Sequence, residues 1–296
     1  LAHGLMVLPI RDGLNPTRLR LPPADAPTVL AYLVQRFPED AARIREKVEA
    51  GEVVDQSGTP INAQTPYQTA GFVYLYRDPP VEQRIPFEVT VLHRDENLLV
   101  VDKPHFLPTT PRGGFVAETA LVRLRRQFDL PELSPAHRLD RLTAGVLLFT
   151  VRPDVRRAYQ TLFAERRVRK VYEAIGGVDP ALGFPRTVRS RIVKHRGVLQ
   201  AQEVPGAPNS ETVIELLDGR GDHARYRLIP RTGKTHQLRV HLNSLGIGIL
   251  GDPLYPVVRD VAPDDYSNPL RLLARSLEFT DPYSGQRRVF ESERTL

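Results

Sequence analysis

Three stretches of the chain gather side chains that move protons or hold anions. The first is His137-Arg138-Leu139-Asp140-Arg141-Leu142-Thr143-Ala144-Gly145, which runs straight into the apolar Val146-Leu147-Leu148-Phe149. A carboxylate between two arginines, just before a buried strand, sits where a scaffold can hold it rigidly at a sheet edge. In extended geometry Arg138 and Asp140 share one face and Leu139 takes the other. Taken alone, an Arg-x-Asp is more often a loop ion pair. The second stretch is Arg169-Lys170-Val171-Tyr172-Glu173-Ala174-Ile175. As a strand it puts Lys170, Tyr172 and Ala174 on one face and turns Val171 and Ile175 to a core. A tyrosine there offers a flat surface and a phenol that serves as acid or base once its pKa is tuned, or it simply packs. The third is Arg231-Thr232-Gly233-Lys234-Thr235-His236-Gln237-Leu238-Arg239-Val240-His241-Leu242. A helix start carrying Arg231, Lys234 and free backbone N–H groups favours an anion such as phosphate. His236 and His241 are five apart, the wrong spacing for zinc on one helical face. Catalysis by paired carboxylates would need a second acid in a comparable motif, and none is present.

These stretches need elements to carry them. Glu88–His93 and Leu98–Asp102 read as a hairpin, Ala117–Phe128 as a helix, and Val146–Val151 as a buried strand. Pro153–Arg167 reads as a helix, Lys170–Ile175 and Ala224–Ile229 as strands, and Thr232–Leu245 as a helix whose buried stripe is Leu238, Leu242 and Leu245. The alternation lacks the strict period of a doubly wound sheet, which points to an α+β fold with a large mixed or antiparallel sheet. Upstream, Val29, Leu30, Leu33 and Phe37 space as one helical face, and a second helix over 42–50 stops at Gly51.

The 296 residues contain 41 Lys+Arg, 35 Asp+Glu, no Cys and no Trp, for a formal net charge of +6. Without cysteine there is no disulfide framework, thiol nucleophile or thiolate metal site. No Walker loop, Gly-x-Gly-x-x-Gly fingerprint or Gly-x-Ser-x-Gly elbow occurs, so neither a nucleotide cofactor nor a metal is expected. No apolar run reaches the roughly 18 residues of a membrane span, and Arg11-Asp12 cut short the apolar opening; a cytoplasmic protein is expected. Charge is uneven: residues 1–24 carry +2 and residues 25–96 carry −5, leaving +9 for the rest. We therefore expect a basic extended arm over 1–23, a small module over 24–80, a linker near 78–86, and a main domain over 85–296. Of the five lysines and 36 arginines, part of the arginine excess is what a GC-rich genome produces without function. The candidate phosphate contacts are Arg123, Arg125, Arg126, Arg166, Arg167 and Arg169, with a basic stretch from Arg186 to Arg196 that is either a mobile gripping loop or a solvated charge run.

In this order, the three motifs resemble the pseudouridine synthases of the RluA type. The match is close in His137-Arg138-Leu139-Asp140 with Thr143 and Gly145, and in Lys170-x-Tyr172-x-Ala174. It is closest in Arg231 to Leu242, followed by Gly251-Asp252-Pro253-Leu254-Tyr255. Leu98–Pro104 fits the start of that catalytic domain, and the likeness spans roughly residues 86–290. His137, where the small-subunit rRNA branch usually has Gly, favours the RluA branch. The resemblance implies a pseudouridine synthase fold, a large mixed and mainly antiparallel sheet flanked by helices and loops, and an isomerase that needs no cofactor. The partner it implies is structured RNA, 23S rRNA or tRNA, and we expect a monomer.

The resemblance also implies roles. Asp140 matches the catalytic aspartate, which attacks the ribose or assists a glycal intermediate. Tyr172 matches the tyrosine that stacks on the target base and helps remove the C5 proton, and Arg239 the arginine that pairs with the aspartate. Arg138 matches the arginine that takes the place of the extruded uridine, with Leu238 an apolar floor. His137, Lys170, Arg231, Lys234, His236 and Gln237 complete the implied RNA-binding set. Two positions depart from the pattern: Ala144 replaces a common Ser and Arg275 a frequent His. The small module resembles, faintly, an S4-like RNA-binding module, although its charge opposes a phosphate grip. A catalytically silent RNA-binding protein on the same fold is the alternative.

Overall fold

The first helix is started by Thr28, whose hydroxyl accepts the Ala31 N–H at 3.1 Å, satisfying one of the donors a helix start leaves open. The helix, α1 (Val29–Arg36), packs with α2 (Ala41–Glu49) on a three-stranded sheet formed by β1 (Thr17–Arg20), β2 (Val54–Asp55) and β3 (Phe72–Leu75) in the order β1-β3-β2. Leu33, Val48, Val53 and Val73 fill its core, and Gly51, at φ +70°, ends α2 where a stop is expected. The computed structural model describes residues 7–79 and 81–296, the side chain of Arg220 excepted. These fall into two units that divide after Val81. The expected basic arm over 1–23 lies partly outside the described residues. Its Thr17–Arg20 segment is a strand paired with β3, not an extended arm, because Leu19 alternates inward toward the small core.

The second unit is built on an 11-stranded sheet. Its elements are β4 (Thr90–Arg94), β5 (Leu98–Lys103), α3 (Ala120–Phe128), β6 (Ser134–Pro135), β7 (Ala144–Thr150), α4 (Arg156–Ala164) and β8 (Arg169–Gly177). There follow β9 (Arg186–Val193), β10 (Gln202–Val204), β11 (Ser210–Arg220), β12 (His223–Pro230), α5 (Gln237–Ser244), β13 (Leu272–Thr280) and β14 (Arg287–Glu291). The main path runs β10-β9-β11-β12-β8-β13-β7-β5-β4, with β14 on β13 and β6 on β7. The β7–β13 pair is parallel and every other neighbour is antiparallel. This is the α+β class. Every residue of β5 and β7 is buried, which is why Leu98–Val101 and Val146–Phe149 read as unbroken apolar runs, and the charged end of β5, Asp102 and Lys103, is buried with them.

The β7–β13 contact depends on Gly145. A Cβ there would lie 2.2 Å from the Ala274 carbonyl oxygen, and φ is +114°. No side chain fits, so the two strands meet directly at the base of the Asp140 loop.

Several expectations need correction. The basic run beginning at Arg186 is strand β9, not a mobile loop, with Ser190 and Ile192 turned inward between exposed Arg189 and Arg191. The expected helix from Thr232 begins only at Gln237, because side-chain hydrogen bonds hold Thr232–His236 in a turn that competes with helix. All of Gln237–Leu242 is buried, so α5 is a core helix, not one with a single leucine stripe. On β8, Tyr172 and Ala174 face the large apolar cluster, whereas Ile175 is only part-buried.

Candidate active site

Asp140 sits in the loop between β6 and β7, and that loop is held by the segment that follows β5. Thr109 Oγ1 donates to the Leu139 carbonyl at 2.8 Å and accepts the Leu139 N–H at 3.2 Å. His105 Nδ1 donates to the Leu142 carbonyl at 2.7 Å. The ammonium of Lys103 is fully buried and donates to the carbonyls of Pro104, Leu107 and Arg141 at 2.8, 2.7 and 3.3 Å. Burial pushes the Lys103 pKa down, and the charge of nearby Asp140 opposes that push. Leu139 is buried beneath the loop, while Arg138 is exposed and Asp140 half-exposed. The expected opposition of faces is observed.

The loop opens on a cleft of about 950 Å³ lined by Arg138, Asp140, Lys170, Tyr172, Leu238 and Arg239, among others. This is the upper end of the ligand-pocket range, roughly 300–1,000 Å³. Arg239 is 2 % exposed and makes a two-pronged ion pair with a residue other than Asp140. It donates from Nε and Nη2 to the Asp252 carboxylate at 2.7 and 2.6 Å. Its remaining Nη1 faces Asp140 Oδ2 at 3.9 Å. Burial opposes the charge on Arg239, and the Asp252 hydrogen bonds and charge outweigh it, leaving the pKa raised. Asp252 in turn accepts the Leu254 N–H at 2.8 Å. The turn before it needs Gly251, where a Cβ would lie 2.2 Å from the Pro269 carbonyl oxygen and φ is +71°.

His236, in the left-handed region at φ +57°, brings Nε2 to 3.9 Å from the same Asp140 oxygen. Its Nδ1 lies 3.0 Å from the Tyr255 hydroxyl. Burial pushes the His236 pKa down, against the pull of Asp140. Tyr172 faces the cleft from β8, and burial, with the Asp140 charge adding to it, pushes its phenol well above the usual range.

The other expected site residues divide. Lys170 lines the cleft and donates to the Thr232 carbonyl at 3.3 Å, and burial lowers its pKa. Leu238 belongs to the large core cluster and lines the cleft. Gln237 is buried: it accepts from Thr232 Oγ1 at 2.7 Å and the Lys234 N–H at 3.0 Å, and donates to Thr212 at 2.9 Å. It therefore braces the turn that carries exposed Lys234. Arg231 lies outside the cleft lining and pairs with Glu211 at 3.2 Å. The His137 ring stacks on Phe163 at 4.4 Å, and its Nε2 accepts the Leu148 N–H at 3.2 Å. Burial drives its pKa down to about 3, so it is a neutral part of the wall.

Exposed Arg167 and Arg169 pair with Glu165 and Glu278 at 3.0 and 3.7 Å, and two more of the expected phosphate contacts are occupied deeper within the protein. Arg123 donates to the Ile85 and Phe87 carbonyls at 2.6 and 2.7 Å and pairs with Glu118. Arg125 is buried with its Nε on the Leu133 carbonyl at 3.1 Å. Roles for Lys103, His105, Thr109, Asp252 and Tyr255 as supports of the Asp140 and Arg239 site were not read from the sequence. Only the DPLY segment and the KPH segment, which sit in matched motifs, pointed toward them.

The model of the RNA pseudouridylate synthase family matches residues 97–244. An uncharacterized RNA pseudouridine synthase of Synechocystis sp. is 34% identical over 214 residues, covering 71% of this chain and 73% of that protein. The dual-specificity RNA pseudouridine synthase RluA of Escherichia coli is also 34% identical, covering 69% of this chain and 92% of that protein. Among solved structures, human RNA pseudouridylate synthase domain containing 4 superposes with a TM-score of 0.54 at 26% identity. It covers 70% of this chain and 88% of the human one. The chain belongs to the RNA pseudouridylate synthase family, in its RluA-type branch. It is an isomerase that converts uridine to pseudouridine in RNA.

Proposed function

We propose that Asp140 is the group that acts on the ribose of the target uridine, with Arg239 and His236 fixing its carboxylate and Tyr172 lying against the base. The observation that carries this reading is the convergence of Arg239 Nη1 and His236 Nε2, each 3.9 Å from Asp140 Oδ2, at the floor of the cleft. The reaction breaks N1–C1′, turns the base, joins C5 to C1′, gives up the C5 proton and takes up one proton at N1. No atom is added overall. Tyr172, with its pKa raised by burial, keeps its proton and offers a ring face and an O–H donor. Leu238 supplies apolar surface under the base, and Arg138, exposed at the mouth, fills the stack that the flipped uridine leaves, offsetting an unstacking cost of a few kcal/mol.

The substrate we propose is structured RNA of the 23S rRNA or tRNA class. The E. coli relative named dual-specificity, of which the chain covers 92%, supports it. We also propose that the enzyme works as a monomer, since all the residues lining the cleft come from the unit 82–296 of one chain. Asp140→Asn tests the central assignment: RNA binding should survive and pseudouridine formation disappear. Formation at the parental rate by that variant would overturn it, and would leave the silent RNA-binding alternative no better supported.

A further inference from the structure

Three aliphatic side chains at the mouth of the cleft stand in water. Leu199 is 63% exposed, and Val258 and Val261 are each 43% exposed. All three line the cleft that holds Asp140 and Tyr172. Single exposed aliphatics are ordinary, but these lie on two segments that are fastened to each other. The Gln200 side-chain amide donates to the Pro256 carbonyl at 3.2 Å and also to the Leu254 carbonyl. The Ala201 N–H donates to the Tyr255 hydroxyl at 2.7 Å, and the same hydroxyl reaches His236 Nδ1 at 3.0 Å. The apolar ledge is thus fixed in place and continuous with the residues around Asp140. Arg138, Arg166 and Arg259 are exposed around the same cleft, and among the described residues none of them pairs with a carboxylate. Apolar surface ringed by unpaired guanidinium groups suits a strand whose bases have left their stack. The base faces cover the aliphatic groups and the phosphates meet the arginines.

We propose that Leu199, Val258 and Val261 form a subsite for an unstacked nucleobase beside the target uridine, with Arg259 on its phosphate. The proposal rests on the RNA-modifying reading of the cleft and adds to it a second base-binding position. The full chain and its L199S/V258S/V261S variant should be compared with two fluorescent probes: decauridylate and a ribose-phosphate oligomer of equal length lacking bases. The parental chain should prefer decauridylate by roughly tenfold. The triple variant should lose most of that preference, while its affinity for the baseless oligomer and the salt slope of that binding stay unchanged. A variant that keeps the parental preference overturns the subsite, as does one that loses affinity for both probes equally. Pseudouridine formation on unmodified 23S rRNA and tRNA transcripts is read alongside. If the parental chain forms none on either RNA, the proposed substrate class fails, and the probe comparison still decides the ledge.

Discussion

Asp252→Asn separates the group that holds Arg239 from the group that Arg239 serves. Arg239 is 2% exposed and gives two charge-assisted hydrogen bonds to Asp252 at 2.7 and 2.6 Å, while Asp140 lies at 3.9 Å. Removing the Asp252 charge leaves a buried guanidinium without its main counter-ion, a loss of roughly 3–5 kcal/mol for such pairs. For a unit of this size that is about 10 °C in the melting temperature. The orientation of Nη1 goes with it, and a displaced positioning group costs about a hundredfold in rate. Asp140→Asn should behave in the opposite way. Its side chain is 39% exposed and the nearest cation, Arg239, is 3.9 Å away, a kind of pair worth about 0–1 kcal/mol. The assay is thermal unfolding of both variants beside single-turnover pseudouridine formation. Asp252→Asn should melt early and react slowly; Asp140→Asn should melt normally and not react. A parental melting temperature and rate for Asp252→Asn, or equal destabilisation by both variants, would refute the reasoning.

Gly145→Ala should cost more than about 4 kcal/mol and yield little soluble protein, because its Cβ would sit 2.2 Å from a backbone oxygen; circular dichroism of any recovered fraction checks it. Buried His241, bonded to Ser190, Ser210 and Thr212, has its pKa pushed down to about 4 by burial. In the unfolded chain that histidine binds its proton at about 6.5, so the unfolded state takes up the proton first. Its stabilising contribution is complete above pH about 6.5 and is lost as pH falls toward about 4. The melting temperature should fall across that window, and His241→Gln should flatten the slope. Arg166→Ala, at an exposed arginine that lines the cleft, should weaken RNA binding across sequences and reduce the salt slope of binding by about one, as titration at several salt concentrations would show.

Strands β5 and β7 were legible because they are buried on both faces and so carry the apolar runs Leu98–Val101 and Val146–Phe149, and α1 and α2 because their apolar residues recur at helical spacing. Strands β9 and β11 were not. In Arg186–Val193 the outward arginines mask an inward Ser190 and Ile192, so the run reads as charge instead of alternation. Helix α5 was drawn too long because Thr232 and Gln237 bond to each other through their side chains, a choice that propensity does not contain.

The sequence by itself singled out the residues we propose for the chemistry. Asp140, Tyr172 and Arg239 stand out because they lie in three motifs whose types and order resemble a known family, and motif residues are local properties of the chain. Only the tertiary structure decided who holds whom. Arg239 is committed to Asp252, thirteen positions away, and Asp140 is steadied by Lys103, His105 and Thr109 through backbone carbonyls of its own loop. The partnerships around Asp140 arise because β5 pairs with β7 in the sheet, and strand order is set by burial of the whole apolar surface and not by any short stretch of residues.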